Sequence, residues 1–345
     1  MCYQRFFCEK TKTDHSDTYA EYSDEMDQTL SINPMEIETA VAGKKNGCTV
    51  PKGLENSSQI CYRNCILQIF AQTTGFFEQL KMKIETFNRN SNAGLTRYLY
   101  DLLHSIRNGE GSEQITKRNA EQFHEFLDKK IQRFLPFEQD DSHSFFLCVL
   151  GTIDEECNGS DTPSDLFKVP LQSSFQCSIQ QDKIEYIEQL PIYSIPVPKM
   201  GDVQESLTVF VGVEHVINQK CECCDENIAS HTIKRLRMTK VPKVVVLHIG
   251  KIGKFQRINT PEETRKVLKF TEDMDAFYPS DEDTNNMWHL YGVVVHTGAV
   301  SGGHYFSYVK PSGTEQWYKC NDMIVQQVLE DEVLHSDPYL LFYSN

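Results

Sequence analysis

The sequence contains no apolar run long enough to span a membrane, and its first residues lack the apolar core of a secretory signal peptide. Basic residues are scarce as well: 34 Lys and Arg stand against 49 Asp and Glu, which gives a formal net charge of −15. A chain this acidic is a poor candidate for binding nucleic acid or an anionic membrane, and a better one for a basic partner surface. Apolar residues make up 39% of the chain, so wholesale disorder is excluded.

The twelve cysteines do not form the pattern of a small disulfide-rich secreted domain. They are spread over 345 residues behind a start without a secretion signal. This distribution favours free thiols, a metal site or a nucleophile, and we expect a protein of the cytoplasm or nucleus.

The N-terminal segment differs in composition from the rest of the chain. Between Thr13 and Ala40 there are eight acidic residues and no Lys or Arg, with little apolar periodicity. We therefore predict a disordered acidic tail over 1–48, either a spacer or a docking segment, and one ordered domain over 49–345.

Apolar periodicity in the ordered part predicts helices first and strands afterwards. The predicted helices cover 61–80, 95–106, 120–134 and 141–150. The predicted strands cover 207–213, 233–238, 244–249, 290–296, 305–309 and 339–343. This order favours an α+β architecture, with an exposed acidic loop at 281–286.

Cys61 and His304 are the candidate catalytic residues. Cys61 lies at the start of the first predicted helix, where the helix dipole would stabilise a thiolate, although a lone cysteine is more commonly a small buried core residue. His304 follows two glycines at the start of a predicted strand, and Asn321-Asp322 follow it across a predicted hairpin. An amide or carboxylate there could hold the second nitrogen of the imidazole ring.

Three segments together resemble the ubiquitin-specific protease family of cysteine deubiquitinases. The first is similar to the family's Cys box, G-L-x-N-x-G-N-T-C-Y-x-N-S-x-L-Q. Its matching residues are Gly53, Leu54, Asn56, Cys61, Tyr62, Asn64, Leu67 and Gln68. The second is similar to the His box, with matches at Tyr291, Val294, His296, Gly298, Gly303, His304, Tyr305, Tyr308, Trp317, Asn321 and Asp322. Between them, 139–146 resembles the family's Q-Q-D-A-H-E-F-L segment.

The resemblance implies a papain-like α+β fold shaped like a right hand, with a helical thumb, a β-rich palm and β-fingers over about 163–240. It implies ubiquitin and ubiquitinated proteins as partners, hydrolysis of the bond after ubiquitin's C-terminal glycine, no cofactor, and a chain able to act as a monomer.

The resemblance also implies a role for each matched residue. Cys61 would be the nucleophile, His304 the general base and acid, and Asn321 the residue that orients the imidazole. Asn56 would donate to the oxyanion. Asp322 would be auxiliary, or would orient the imidazole in place of Asn321. Asp141 would bind an arginine of ubiquitin's tail.

Several residues depart from the family pattern. Ser58, Gln59 and Ile60 replace Gly-Asn-Thr, and if the glycine position requires a positive φ, Ser58 costs about 1 kcal/mol. Cys65 replaces a serine, and Ser144 replaces a glutamate that could contact the tail.

A structural zinc site on the fingers is disfavoured, and we predict no bound metal. Many family members carry two CxxC pairs there, whereas Cys177 is followed by Gln180 at the position of its partner. With Cys221 and Cys224 this leaves three thiolates, and neither Cys223 nor Cys157 is positioned by the sequence as a fourth.

Two alternatives to an active deubiquitinase remain open. A ubiquitin-binding pseudoenzyme would be consistent with the altered 58–60 segment, and a Cys-His-Asx hydrolase or transferase of unrelated substrate would not require the 139–146 segment.

Overall fold

All twelve residues of the helix that begins at Cys61 are buried, and the surrounding elements pack around that helix. The computed structural model describes residues 50–86, 94–108, 113–134, 137–159, 161–177, 186–198, 203–211, 214–216, 232–238, 242–250, 267–269, 287–299 and 302–345. The predicted tail over 1–48 and the predicted acidic loop at 281–286 lie outside these residues and stay predictions.

Helices dominate the first part of the described structure, as predicted. They are α1 (Cys61–Gln72), α2 (Thr74–Thr86), α3 (Gly94–Asn108), α4 (Glu113–Lys130) and α5 (Ser142–Glu156). A 3₁₀ turn, Pro163–Phe167, leads from them into the strands. None of the helices in the described part of the chain combines the length and apolar character needed to cross a bilayer.

Two sheets follow, which confirms the α+β class. The first runs in the order β2-β1-β5-β4, from β1 (Val169–Cys177), β2 (Tyr186–Ile192), β4 (Glu214–Val216) and β5 (Thr232–Met238). The second runs in the order β11-β10-β9-β8-β12-β6-β3, with β7 (Val267–Lys269) paired to β8. Its other strands are β3 (Ile195–Pro198), β6 (Val244–Gly250), β8 (Met287–Ala299), β9 (Gly302–Val309), β10 (Trp317–Asn321), β11 (Ile324–Val328) and β12 (Pro338–Ser344).

The second sheet separates two apolar cores. On β12, Leu340 and Phe342 face the helical core while Leu341 and Tyr343 face the opposite one, as the two-residue period of a strand requires. The opposite face is covered by α6 (Val203–Val211) and α7 (Glu330–Leu334). Because the sheet is buried on both faces, its central strands are nearly continuous apolar runs.

Two of the predicted elements differ from the structure. The predicted strand at 207–213 is wrong, because residues 203–211 form α6. Its buried positions Val203, Ser206 and Leu207 follow a helical period that the β-branched residues of the segment obscure. The predicted helix 61–80 is two helices, separated at Thr73, whose hydroxyl donates to Ile69 O and contacts Tyr291 Oη.

Candidate active site

Cys61 is the first residue of α1 and is 2% exposed. Burial raises the pKa of its thiol above the ordinary value; hydrogen bonds with the backbone of Tyr305 and of Tyr62 lower it, and the negative charge of Asp322 raises it. The helix dipole expected to stabilise the thiolate acts here against burial, which opposes ionisation of the thiol. The thiol needs a base that takes its proton.

Asn56 braces the loop that precedes Cys61. Its Oδ1 accepts from Ile60 N–H at 2.7 Å, one residue before the nucleophile. Its Nδ2 donates to Asp322 Oδ2 at 2.9 Å and carries a second hydrogen. This second hydrogen and the Cys61 N–H, which has no intrahelical acceptor at the start of a helix, are the donors this loop can offer to an oxyanion.

The strain expected at Ser58 lies one residue later. Gln59 has a φ of 59°, in the left-handed region, whereas Ser58 does not. The Cys box has asparagine at this position, and asparagine adopts the left-handed region more easily than glutamine does. The substitution that strains the backbone is therefore Gln59 and not Ser58.

His304 lies on β9, and its Nε2 is 2.6 Å from Asn321 Oδ1 on β10. Because an amide oxygen only accepts, Nε2 must donate, which leaves Nδ1 as the nitrogen that can receive a proton. The hydrogen bond between Cys61 and the Tyr305 backbone places the thiol beside the residue that follows His304. The N-terminus of α1 thus lies against β9, with Cys61 beside the backbone that follows His304 and Asn321 bonded to the His304 ring.

Asp322 has a different set of partners from Asn321. Its Oδ1 accepts from Asn64 Nδ2 at 2.9 Å, its Oδ2 accepts from Asn56, and its backbone oxygen accepts from Leu54 N–H at 3.0 Å. The distance from Oδ2 to His304 Nε2 is 3.9 Å, too long for a hydrogen bond. The geometry therefore makes Asp322 a brace for the Cys61 loop and α1, and Asn321 the partner of the imidazole.

Asp141 is the N-cap of α5, where its Oδ1 accepts from Ser144 N–H at 2.7 Å. Its Oδ2 accepts from the hydroxyls of Tyr305 and Tyr339. Burial opposes ionisation of this carboxyl, but the hydrogen bonds from Tyr339 and Ser144 outweigh burial and lower its pKa. It is a fixed negative charge near the site, and its contact with a substrate arginine stays a prediction.

Three further residues contribute to the site, and the sequence predicted no role for any of them. Asn64 belonged to the motif without an assigned role, although its spacing of three residues from Cys61 on a helix was a signal for a shared site. Tyr305 was likewise only a motif match, and so was Gln139, the first residue of the 139–146 segment, which contacts the backbone beside His304.

No group of three or more His, Cys, Asp or Glu side chains able to hold a metal ion occurs within the described ranges. Cys221, Cys223 and Cys224 lie outside them, and Cys157 is buried at the C-terminal end of α5. The zinc question on the fingers therefore stays a prediction.

The sequence of this chain is similar to those of known ubiquitin carboxyl-terminal hydrolases. The family model described as ubiquitin carboxyl-terminal hydrolase matches residues 52–343. Human ubiquitin carboxyl-terminal hydrolase 2 is 25% identical over 334 residues, which cover 84% of this chain and 54% of the human protein. Ubiquitin carboxyl-terminal hydrolase 8 of Saccharomyces cerevisiae is 24% identical over 331 residues, covering 85% of this chain and 70% of the yeast protein. The chain thus spans about half the length of the human relative.

Solved structures support the same fold. The SAGA Ubp8/Sgf11/Sus1/Sgf73 DUB module bound to ubiquitin aldehyde contains a chain that superposes with a TM-score of 0.66 at 21% identity. The match covers 85% of this chain and 69% of that one. The predicted papain-like right-hand architecture is thereby confirmed.

Proposed function

The chain belongs to the ubiquitin carboxyl-terminal hydrolase family, and from that premise we propose that it is a thiol-dependent deubiquitinase that cleaves the bond after ubiquitin's C-terminal glycine. The observation that carries the proposal is the arrangement of Cys61, His304 and Asn321, with Asn321 Oδ1 at 2.6 Å from His304 Nε2. An acidic chain also suits a substrate whose tail is basic.

The proposed reaction has two stages. His304 Nδ1 takes the proton of Cys61, whose sulfur attacks the glycine carbonyl, and the Asn56 amide and the Cys61 N–H donate to the oxyanion. As the tetrahedral intermediate collapses, His304 gives the proton to the leaving amine and a thioester remains. Water, deprotonated by His304, then attacks the thioester, and the thiol recovers its proton as ubiquitin's carboxylate is released.

The raised pKa of the Cys61 thiol fits a mechanism in which proton transfer accompanies attack. Asn321 cannot carry charge, so its contribution is to fix the tautomer and the ring orientation.

A second candidate is a ubiquitin-binding protein with impaired catalysis. The left-handed backbone at Gln59 favours it, since strain in this loop could displace Asn56 from the oxyanion position. The retained contacts of Asn56 with Ile60 and Asp322 weigh against it.

The deciding experiment uses ubiquitin carrying a C-terminal electrophile. We expect one covalent adduct, mapped to Cys61 by peptide mass spectrometry, together with hydrolysis of a ubiquitin amide substrate. Cys61→Ala should abolish both while ubiquitin binding changes only a few-fold. Cys65→Ala is the matched control, because Cys65 lies one helical turn further on and donates to Tyr62 O. Binding without adduct or turnover would identify the impaired protein.

A further inference from the structure

The backbone immediately before His304 is held by a side chain from another part of the chain. Gly303 N–H donates to Gln139 Oε1 at 3.0 Å, although the two residues are 164 positions apart. Gln139 lies in the segment that precedes α5, whereas Gly303 is the second residue of β9.

The same segment also holds the residue that follows His304. The hydroxyl of Tyr305 donates to Asp141 Oδ2 at 3.3 Å. The two residues flanking His304 are therefore bonded to two residues, Gln139 and Asp141, that are themselves only two positions apart. Because Asp141 is the N-cap of α5, one end of the segment that contains Gln139 is fixed to that helix.

We propose that Gln139 is a positioning residue that sets the backbone of His304, and hence the location of the imidazole nitrogen that receives the Cys61 proton. The inference rests on the proposed function, since it assigns Gln139 a role in the same site.

The β8–β9 ladder explains why an outside restraint is needed. The ladder ends with Gly298 paired to Gly303 and Ala299 paired to Gly302, so the two residues of β9 before His304 have no side chains that could pack. Glycine is required at 303, because a Cβ there would lie 2.4 Å from Thr297 O. The close approach that excludes a side chain thus leaves the backbone N–H of Gly303 as the group available for an anchor.

The Asn321 contact does not replace this anchor. Asn321 fixes only one atom of the His304 ring, Nε2. The ring and the backbone of His304 can still rotate together about that atom. The position of Nδ1 relative to the sulfur of Cys61 also depends on where the His304 backbone lies. A small misplacement of a catalytic group lowers the rate strongly.

Gln139 should affect reactivity far more than stability. Its side chain is exposed, and an exposed hydrogen bond contributes little to folding because water competes for both partners. We therefore expect Gln139→Ala to melt at the temperature of the unchanged protein.

The test measures alkylation of Cys61 by iodoacetamide between pH 5 and 9 in the full chain, quantified by peptide mass spectrometry. Near pH 7, His304-assisted alkylation of Cys61 should fall about tenfold or more in Gln139→Ala. Gln139→Glu should retain it, because a carboxylate oxygen can accept the same N–H. Gln326→Ala, which removes an exposed glutamine on β11, is the control and should leave the rate unchanged.

The outcomes separate the inference from the proposed function. If His304→Ala leaves Cys61 alkylation of the otherwise unchanged protein unaltered, the Cys-His pair of the proposed function fails. If His304→Ala suppresses alkylation but Gln139→Ala does not, the positioning role is overturned. A loss in Gln139→Ala that Gln139→Glu does not restore would also overturn it.

Turnover of a ubiquitin amide substrate gives a second readout. Mispositioning should lower kcat and leave KM nearly unchanged. A lower KM with faster turnover in Gln139→Ala would mean that Gln139 obstructs the cleft, which contradicts the proposal.

Discussion

Asn321 and Asp322 are adjacent residues at one β-turn, and each fixes a different part of the site by hydrogen bonds. Asn321 bonds to His304, while Asp322 bonds to Asn56 in the loop before Cys61 and to Asn64 on α1. The left-handed backbone of Asp322, with a φ of 50°, turns the two side chains in different directions. The Asn321 amide therefore orients His304, and the Asp322 carboxylate stabilises the loop before Cys61.

Asn321→Ala tests this division. It should lower kcat by about 100-fold or more and change KM little, because the imidazole loses the acceptor that fixes its tautomer. Asn321→Asp should retain most activity, since a carboxylate accepts the same bond. The measurement is steady-state hydrolysis of a ubiquitin amide substrate. If Asp322→Ala loses activity and Asn321→Ala does not, the residue that orients His304 is Asp322.

Gln59 carries backbone strain that a different residue would relieve. Gln59→Asn should raise the free energy of unfolding by about 0.5–1 kcal/mol, because asparagine enters the left-handed region at lower cost than glutamine. Urea denaturation measures this change. Ser58→Gly is the matched control and should be neutral or destabilising, since Ser58 does not need a positive φ. A gain in Ser58→Gly with none in Gln59→Asn would contradict this assignment of the strain.

The motif residues of the site could be identified from sequence because their chemistry is tied to local spacing. Asn56, Cys61 and Asn64 lie within one loop and one helical turn, and His304 follows its glycines directly. The contacts of Gln139 and Asp322 could not be predicted, because they join residues 164 or more positions apart.

At the scale of elements, the site depends on α1, and an ion pair between a buried arginine and a partly exposed aspartate anchors this helix. Arg63 is 1% exposed, and its Nη1 lies 2.8 Å from Asp128 Oδ1 on α4. Its Nε donates to Tyr62 Oη at 2.9 Å. The guanidinium thus joins the nucleophile's helix to the next layer of the thumb.

Arg63→Met should lower the free energy of unfolding by about 3 kcal/mol, because it leaves Asp128 without its buried partner. Chemical denaturation followed by circular dichroism measures the loss. Lys129→Met is the control, since Lys129 pairs with Glu125 in solvent and should leave the melting temperature unchanged. Equal effects of the two substitutions would show that the Arg63–Asp128 pair does not anchor α1.

Helices and strands could be predicted where burial gives the apolar residues a simple pattern, and they could not be predicted elsewhere. The central strands β6, β8 and β12 are mostly apolar, and their predicted spans overlap the observed ones. The edge strand β11 exposes Ile324 and carries two glutamines, so its apolar signal is weak. The misassigned α6 shows the converse, because a short apolar segment suits either a buried strand or a buried helix.

At the scale of the whole molecule, the matched family region begins at residue 52. We expect a protein that starts near Gly43 to fold and to turn over a minimal ubiquitin substrate at the rate of the full chain, because the acidic segment before it offers no core to lose. Steady-state kinetics of the two proteins provide the comparison. Failure to fold, or loss of most of the activity, would assign the segment a structural role.

Folding stability of the whole domain should depend on three partly buried histidines. Burial lowers the pKa of His124 to about 3, and the charge of Arg63 acts in the same direction. Burial also lowers the pKa of His143 and of His248, which stack on each other at 4.1 Å, while the nearby Asp141 carboxylate partly offsets this for both.

The sign of the pH dependence follows from these directions. In the unfolded chain a histidine takes up a proton below about pH 6.5, whereas these three resist protonation in the folded protein. Their contribution is therefore complete above about pH 6.5 and is lost as the pH falls, at up to about 1.4 kcal/mol per pH unit for each histidine. Urea denaturation between pH 7.5 and 5 should show a free energy of unfolding that is level above about pH 6.5 and falls below it. His124→Gln should flatten that slope, whereas His335→Gln, which changes an exposed histidine, should not. A free energy of unfolding that stays level down to pH 5 would mean that these histidines take up protons in the folded protein as readily as in the unfolded chain.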